Sequence, residues 1–160
     1  MNYKFFIFDL DGTLVHTLPK YRYTIVDKTL DKLDREGTRE QIDEFWFGAN
    51  RDNIIKKHFD LQPDKFWKVF LETESMRLRR KYTKPYKDID FLKWLEENNV
   101  KTGVVTGAPS HVANMELEIL KKQGFKFDAE IVAHEESGIR PKPNSHGVKK
   151  CLRLLNGNQD

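Results

Sequence analysis

An α/β fold, with a parallel sheet interrupted by an all-helical insertion, is predicted by three observations. Residues 3–8 form an aromatic, apolar run that stops abruptly at Asp9-Leu10-Asp11-Gly12-Thr13. A stretch of roughly 60 residues then shows only helical periodicity. From residue 84 onward, helix-like and strand-like segments alternate, the pattern of a parallel sheet.

Each element has its own signal. The run at 3–8 has no turn residue and no polar alternation, so it reads as a strand buried on both faces. Tyr21, Ile25, Leu30 and Leu33 share one face of a first helix. Ile42, Phe45 and Trp46 mark a second, stopped near Gly48. Ile54, Ile55, His58 and Phe59 mark a third, and Pro63-Asp64 opens a fourth carrying Phe66, Val69, Phe70 and Thr73. No strand is expected between residues 20 and 82. Beyond Lys84-Pro85, Ile89, Leu92, Trp94 and Leu95 suit a short amphipathic helix. Residues 100–106 read as a second buried strand closed by Gly107, and 111–123 as a helix with Gly124 as its C-terminal cap. Residues 127–133 read as a third strand, and 144–155 as a last helix with Asn144 at its N-cap. The expected domains are a core of residues 1–15 and 85–160 and a helical insertion of residues 16–84.

Composition narrows the function. The chain has 160 residues, with 28 basic and 25 acidic, a net charge of +3. That is a weak signal for a polyanionic partner, so nucleic acid is not expected. The basic cluster Arg77-Leu78-Arg79-Arg80-Lys81 reads as the solvated face at the end of an insertion helix, because one short cluster supplies few phosphate contacts. No apolar run approaches the ~18 residues of a membrane span, so no membrane partner is expected. Cys151 is the sole cysteine, which fits a cytoplasmic location, and it reads as a core residue of the last helix.

The candidate chemistry sits at the end of the first strand. Ligands of open α/β sheets bind beyond the carboxyl ends of the strands. Asp9 and Asp11 stand there, two residues apart, and can project into one crevice. One carboxylate can then act as nucleophile and the other as general acid and base. Close carboxylates repel, which favours a divalent cation, and oxygen ligands favour magnesium. Strand-end aspartates also simply cap turns, as Asp-Gly pairs do.

The surrounding residues extend this pattern. Phe8-Asp9-Leu10-Asp11-Gly12-Thr13-Leu14-Val15 resembles the first signature of the haloacid dehalogenase-like hydrolases. Val104-Val105-Thr106-Gly107 resembles the family's second motif, and Arg140-Pro141-Lys142-Pro143 its third. The three occur in the family's order on the expected elements. The resemblance implies a Rossmann-like, three-layer α/β/α core with a helical cap inserted after the first strand. The cap resembles that of the phosphoglycolate phosphatase and β-phosphoglucomutase-like branch.

The resemblance also implies roles. Asp9 would attack the phosphorus of a small phosphorylated metabolite, forming an aspartyl-phosphate, and Asp11 would protonate the leaving oxygen and later activate water. Mg2+ would sit with Asp9 and Asp11. Thr106 and Lys142 would serve the phosphoryl oxygens, with Gly12, Thr13 and Gly107 contributing to substrate binding. Phe47-Gly48-Ala49-Asn50-Arg51 resembles the cap loop that reaches the substrate, which makes Asn50 and Arg51 binding candidates. Arg51 reads equally as an exposed helix-start arginine. His16 reads as a surface or hinge histidine near the site. The implied function is a magnesium-dependent phosphatase. The alternatives are a phosphomutase or a non-catalytic binding module that keeps the phosphate residues.

The resemblance further implies a fourth, acidic motif after a fourth strand beside the first. After the helix ending near Leu155, only Asn156-Gly157-Asn158-Gln159-Asp160 follows. The expectation is a chain cut short of a longer protein, with its first strand left as an open edge through which it self-associates.

Overall fold

The computed structural model describes residues 4–134 and 137–156. Tyr3 of the expected first strand and the segment from Gly157 to Asp160 lie outside the described residues. The chain divides into two compact units, Met1–His16 with Thr83–Asp160, and Thr17–Tyr82. The elements run β1 (Phe5–Phe8), β2 (Val15–Thr17), α1 (Pro19–Asp31), α2 (Arg39–Phe47), α3 (Arg51–Phe59), α4 (Pro63–Thr73) and α5 (Met76–Tyr82). They continue with β3 (Thr83–Pro85), α6 (Phe91–Glu97), β4 (Lys101–Thr106), α7 (Ser110–Lys121), β5 (Ala129–Val132) and α8 (His146–Leu155).

In the first unit, β1, β4 and β5 form a parallel sheet in the order β1-β4-β5. Phe8 pairs with Val104 and Thr106 with Val132, so the carboxyl ends of the strands lie side by side. The pleat sends consecutive residues to opposite faces. Val104 joins Leu92 and Leu95 of α6 and Leu117 and Leu120 of α7 in one cluster. Val105 joins Ala129, Ile131, Cys151 and Leu155 in another, under α8. The result is the α/β/α layering expected. β2 and β3 form a separate two-stranded sheet that the sequence pattern did not disclose.

The second unit is helical, α1 to α5, around an aromatic core. Tyr21, Phe45, Phe59 and Phe66 are almost wholly buried, and the Phe45 and Phe66 rings meet at 5.0 Å. Thr38 opens α2 as its N-cap, with a capping box shared with Gln41. The basic cluster 77–81 forms its own helix, α5, and is not a uniformly solvated face. Arg79 is buried, with its guanidinium 5.6 Å from the Tyr21 ring and 3.6 Å from Glu74. Helical periodicity turns this arginine inward beside half-buried Leu78, while Arg77, Arg80 and Lys81 face water.

The last helix begins later than expected, at His146, and its N-cap is Ser145. The Asn144 side chain still accepts a hydrogen bond from the His146 amide at 2.9 Å. Gly124, at φ +90°, follows α7 as expected. No helix among the described residues is long and apolar enough to cross a membrane.

Burial of Cys151 has a measurable consequence. It pushes the thiol from 9.0 up to about 11. Between those values the unfolded chain binds fewer protons than the folded one, so stability is full below pH 9 and falls as pH rises to 11, by at most about 3 kcal/mol. Tyr21, raised to about 12 by burial first and Glu74 next, adds its own loss above pH 10. Urea unfolding of wild type and Cys151→Ala at pH 8, 10 and 11 isolates the thiol. The wild type is expected to lose more stability than the variant. Equal slopes would refute the assignment.

Candidate active site

Three chain segments converge at the carboxyl end of the sheet. The first is the loop after β1. The Leu10 side chain is wholly buried, anchoring the loop between two exposed aspartates. The Leu10 carbonyl accepts from the amides of Thr13, Leu14 and Val15 at 3.2, 2.9 and 3.2 Å. Gly12 donates to the Val15 carbonyl at 2.7 Å and sits at φ +82°, a conformation glycine adopts without steric cost. The tight turn leaves Asp9 and Asp11 on its exposed flank. It also commits the Gly12 and Thr13 amides to the loop itself, so of these two predicted binding residues only the exposed Thr13 side chain is left to meet a ligand.

The second segment is the end of β4. Thr106 is its last residue and is 2% exposed. Its hydroxyl oxygen accepts from the Ala108 amide at 3.2 Å, which fixes the rotor and leaves the hydroxyl proton to be donated. Gly107 is exposed, and a Cβ there would meet open space.

The third segment is the loop between β5 and α8. The Ser137 hydroxyl bonds the carbonyls of Val132 and His134 at 2.5 and 2.6 Å. His146 Nδ1 accepts from the Arg140 amide at 3.3 Å, and the Pro141 carbonyl accepts from Asn144 at 3.0 Å. Buried Ile139 pins the loop to the core. These contacts deliver the Lys142 ammonium to Asp9, where Nζ donates to Oδ1 at 2.5 Å across 133 positions of sequence. Among the described residues Asp9 Oδ2 takes no partner.

The Asp9–Lys142 pair has a distinctive setting. Its side chains are 44% and 40% exposed, so the pair is reachable from solvent and adds little to stability. A positioned cation beside a reachable carboxylate at a strand end suits chemistry on an anionic substrate. Of the residues that shape the lysine's loop, Asn144 was expected only as a helix N-cap, and Ser137 and His146 were given no role by the sequence. Their only signal is a short polar segment between two apolar elements.

The predicted residues of the second unit have structural partners there. Asn50 caps α3, accepting from the Asn53 amide at 3.3 Å. Arg51 is exposed as a residue, yet its guanidinium donates to the Trp46 carbonyl at 2.9 Å and lies 5.8 Å from the Phe45 ring. Burial first, and the charge of Arg79 second, hold its pKa below the ordinary arginine value. His16, in the first unit, packs its ring against Tyr86 at 4.5 Å.

Known proteins resemble this chain. A family model described as haloacid dehalogenase-like hydrolase matches residues 6–160. Pyrophosphatase PpaX of Anoxybacillus flavithermus is 28% identical over 97% of this chain and 70% of its own length. A HAD family hydrolase structure from Deinococcus radiodurans, with bound phosphate and sodium, superposes with a TM-score of 0.72 at 14% identity, covering 96% of this chain and 68% of that one. A predicted phosphoglycolate phosphatase from Haemophilus somnus gives 0.64 at 22% identity, covering 97% and 72%. At these identities the structural likenesses speak to fold alone.

Proposed function

The chain belongs to the haloacid dehalogenase-like hydrolase family, as a phosphoric monoester hydrolase, and from that premise we propose a magnesium-dependent phosphatase of small phosphorylated metabolites with Asp9 as its nucleophile. The observation that carries this reading is the reachable Asp9 carboxylate held against Lys142. An Asp9 oxygen attacks phosphorus, the ester P–O bond breaks, and the leaving oxygen takes a proton from Asp11. Asp11 then accepts a proton from water, whose oxygen attacks the aspartyl-phosphate and releases phosphate and free Asp9. Lys142 offsets charge on the nucleophile and on the phosphoryl group, and the Thr106 hydroxyl donates to a phosphoryl oxygen. Selection among leaving groups is assigned to residues 16–84, with Asn50 and Arg51 as the candidates.

The donor set fits magnesium. Mg2+ is typically held by one or two carboxylates, substrate phosphate and water. Asp9 and Asp11 supply hard oxygens, and no group of three or more acid, histidine or cysteine ligands occurs among the described residues. When bound, magnesium supplies further neutralisation of the phosphoryl oxygens.

The test is hydrolysis of p-nitrophenyl phosphate and a panel of metabolite phosphates, with magnesium and with chelator. Turnover is expected only with magnesium. Lys142→Ala is expected to lower kcat/KM roughly fiftyfold, about 2.3 kcal/mol. No hydrolysis anywhere on the panel would favour the binding-module alternative.

A further inference from the structure

The segment that carries Lys142 is anchored to the core at its two ends only. Ile139 and Gly147 are buried, and every residue from 140 to 146 between them is exposed. The Gly147 anchor is tight, since an added Cβ there would lie 3.0 Å from Ala133 Cβ. With no buried side chain of its own, the segment takes its course from hydrogen bonds. Three run within it. The Pro141 carbonyl accepts from the Asn144 amide at 3.0 Å, closing a tight turn around Lys142. Asn144 Oδ1 accepts from the His146 amide at 2.9 Å. His146 Nδ1 accepts from the Arg140 amide at 3.3 Å. The last differs in kind: the first two are local, whereas the third joins the two ends of the segment, six positions apart. It closes the ring on which Lys142 stands. Accepting at Nδ1 places the proton of the neutral imidazole on Nε2.

We propose that His146 is a positioning residue: by accepting from the Arg140 amide, its Nδ1 closes the loop that holds the Lys142 ammonium on Asp9. This role rests on the reading of Asp9 as nucleophile and Lys142 as its cation. A lysine reaches its partner on a flexible four-carbon stem. The Lys142 side chain is 40% exposed, so packing does not confine it. The place of its Nζ is therefore inherited from the backbone beneath. With the closing bond gone, residues 140–146 gain conformational freedom and the ammonium spends less time on Asp9. Displacements of about 1 Å at a reacting centre can cost roughly a hundredfold in rate. Among the described residues His146 makes no bond to Asp9 or to Lys142, so its effect passes through the loop.

Three variants separate Nδ1 from the rest of the histidine. His146→Asn offers a carbonyl oxygen at the same branch of the side chain as Nδ1. His146→Gln carries its acceptor one bond further out, and His146→Ala has none. The position is exposed, so all three should fold, as thermal midpoints will check. Hydrogen exchange at the Arg140 amide is expected to rise at least about threefold in the Ala and Gln variants and stay near wild type in Asn. Acetylation of Lys142 by acetic anhydride, read by mass spectrometry, should rise in the same two. With p-nitrophenyl phosphate and magnesium, kcat should fall about tenfold in Ala and Gln, with KM within about twofold, and recover in Asn. Added to Lys142→Ala, His146→Ala should cost nothing more, because the group it positions is already gone. An Asn variant that behaves like Ala overturns the proposal. So does Lys142 labelling that ignores the loss of Nδ1, or a double variant whose losses add. A wild type that hydrolyses no ester would sink the phosphatase reading, while exchange and labelling would still decide whether His146 positions Lys142.

Discussion

Asp9→Asn is expected to lower kcat/KM for phosphate esters by at least about a thousandfold, roughly 4 kcal/mol of transition-state stabilisation. Asparagine keeps the size and planarity of the side chain but offers an amide oxygen without anionic character, a poor nucleophile toward phosphorus. The Lys142 ammonium loses its carboxylate partner at the same time. Stability should scarcely change. Both side chains are about two-fifths exposed, so their attraction is screened and contributes little to folding. The expected signature is therefore an inactive protein with a thermal midpoint within about 2 °C of wild type, the scale of at most about 1 kcal/mol in a chain this long. Substantial turnover in the variant would refute Asp9 as nucleophile. Inactivity accompanied by a large drop in midpoint would assign the residue a structural role instead.

The residues of this site differ in how far the sequence disclosed them. β1 was readable because four consecutive apolar residues ending at Asp9 have few other uses in a chain of this composition. The α/β/α order followed from alternating periods, and the sheet's carboxyl ends located Asp9 and Thr106. The contact between Asp9 and Lys142 was not readable from spacing. It depends on Ser137, Asn144 and His146 shaping an irregular loop, and such loops carry no period. β2 and β3 escaped because three residues are too few to establish alternation, and Pro85 argues against a strand. Arg79 escaped for a different reason. Within an almost uniformly basic cluster, nothing local says which residue turns inward, and the Tyr21 ring that receives it is distant in sequence. Arg51 shows the limit of motif reading: its position was noted, but its bond to the Trp46 carbonyl is a product of how α2 ends.

The second large effect concerns how closely α8 lies on the sheet. Gly103→Ala is expected to cost about 3 kcal/mol, the upper end of overpacking penalties. A Cβ at this position would overlap the Cys151 sulfur and stand 3.2 Å from a Leu155 methyl carbon. Both neighbours are buried, so neither has an open direction in which to withdraw. Helix and strand must separate. Gly147 of α8 shows that the same helix is equally tight further along, since an added Cβ there would lie 2.9 Å from a Val105 methyl carbon. For a domain of this size the loss corresponds to a midpoint drop of about 6–12 °C. Cys151→Ala alone creates a small void and should cost about 1–2 kcal/mol. Combined, the two changes move a single atom's volume from the helix to the strand, so the double variant should be more stable than the sum of the single losses by at least about 1.5 kcal/mol. Chemical denaturation of the four proteins at pH 7, where the buried thiol stays protonated, measures that coupling. Additive losses would mean that the helix relaxes away from β4 instead of pressing on it through Cys151. The same cycle predicts an activity difference: a helix displaced by Gly103→Ala carries with it the loop that ends at His146 and holds Lys142, so turnover should fall in the single variant and recover with stability in the double.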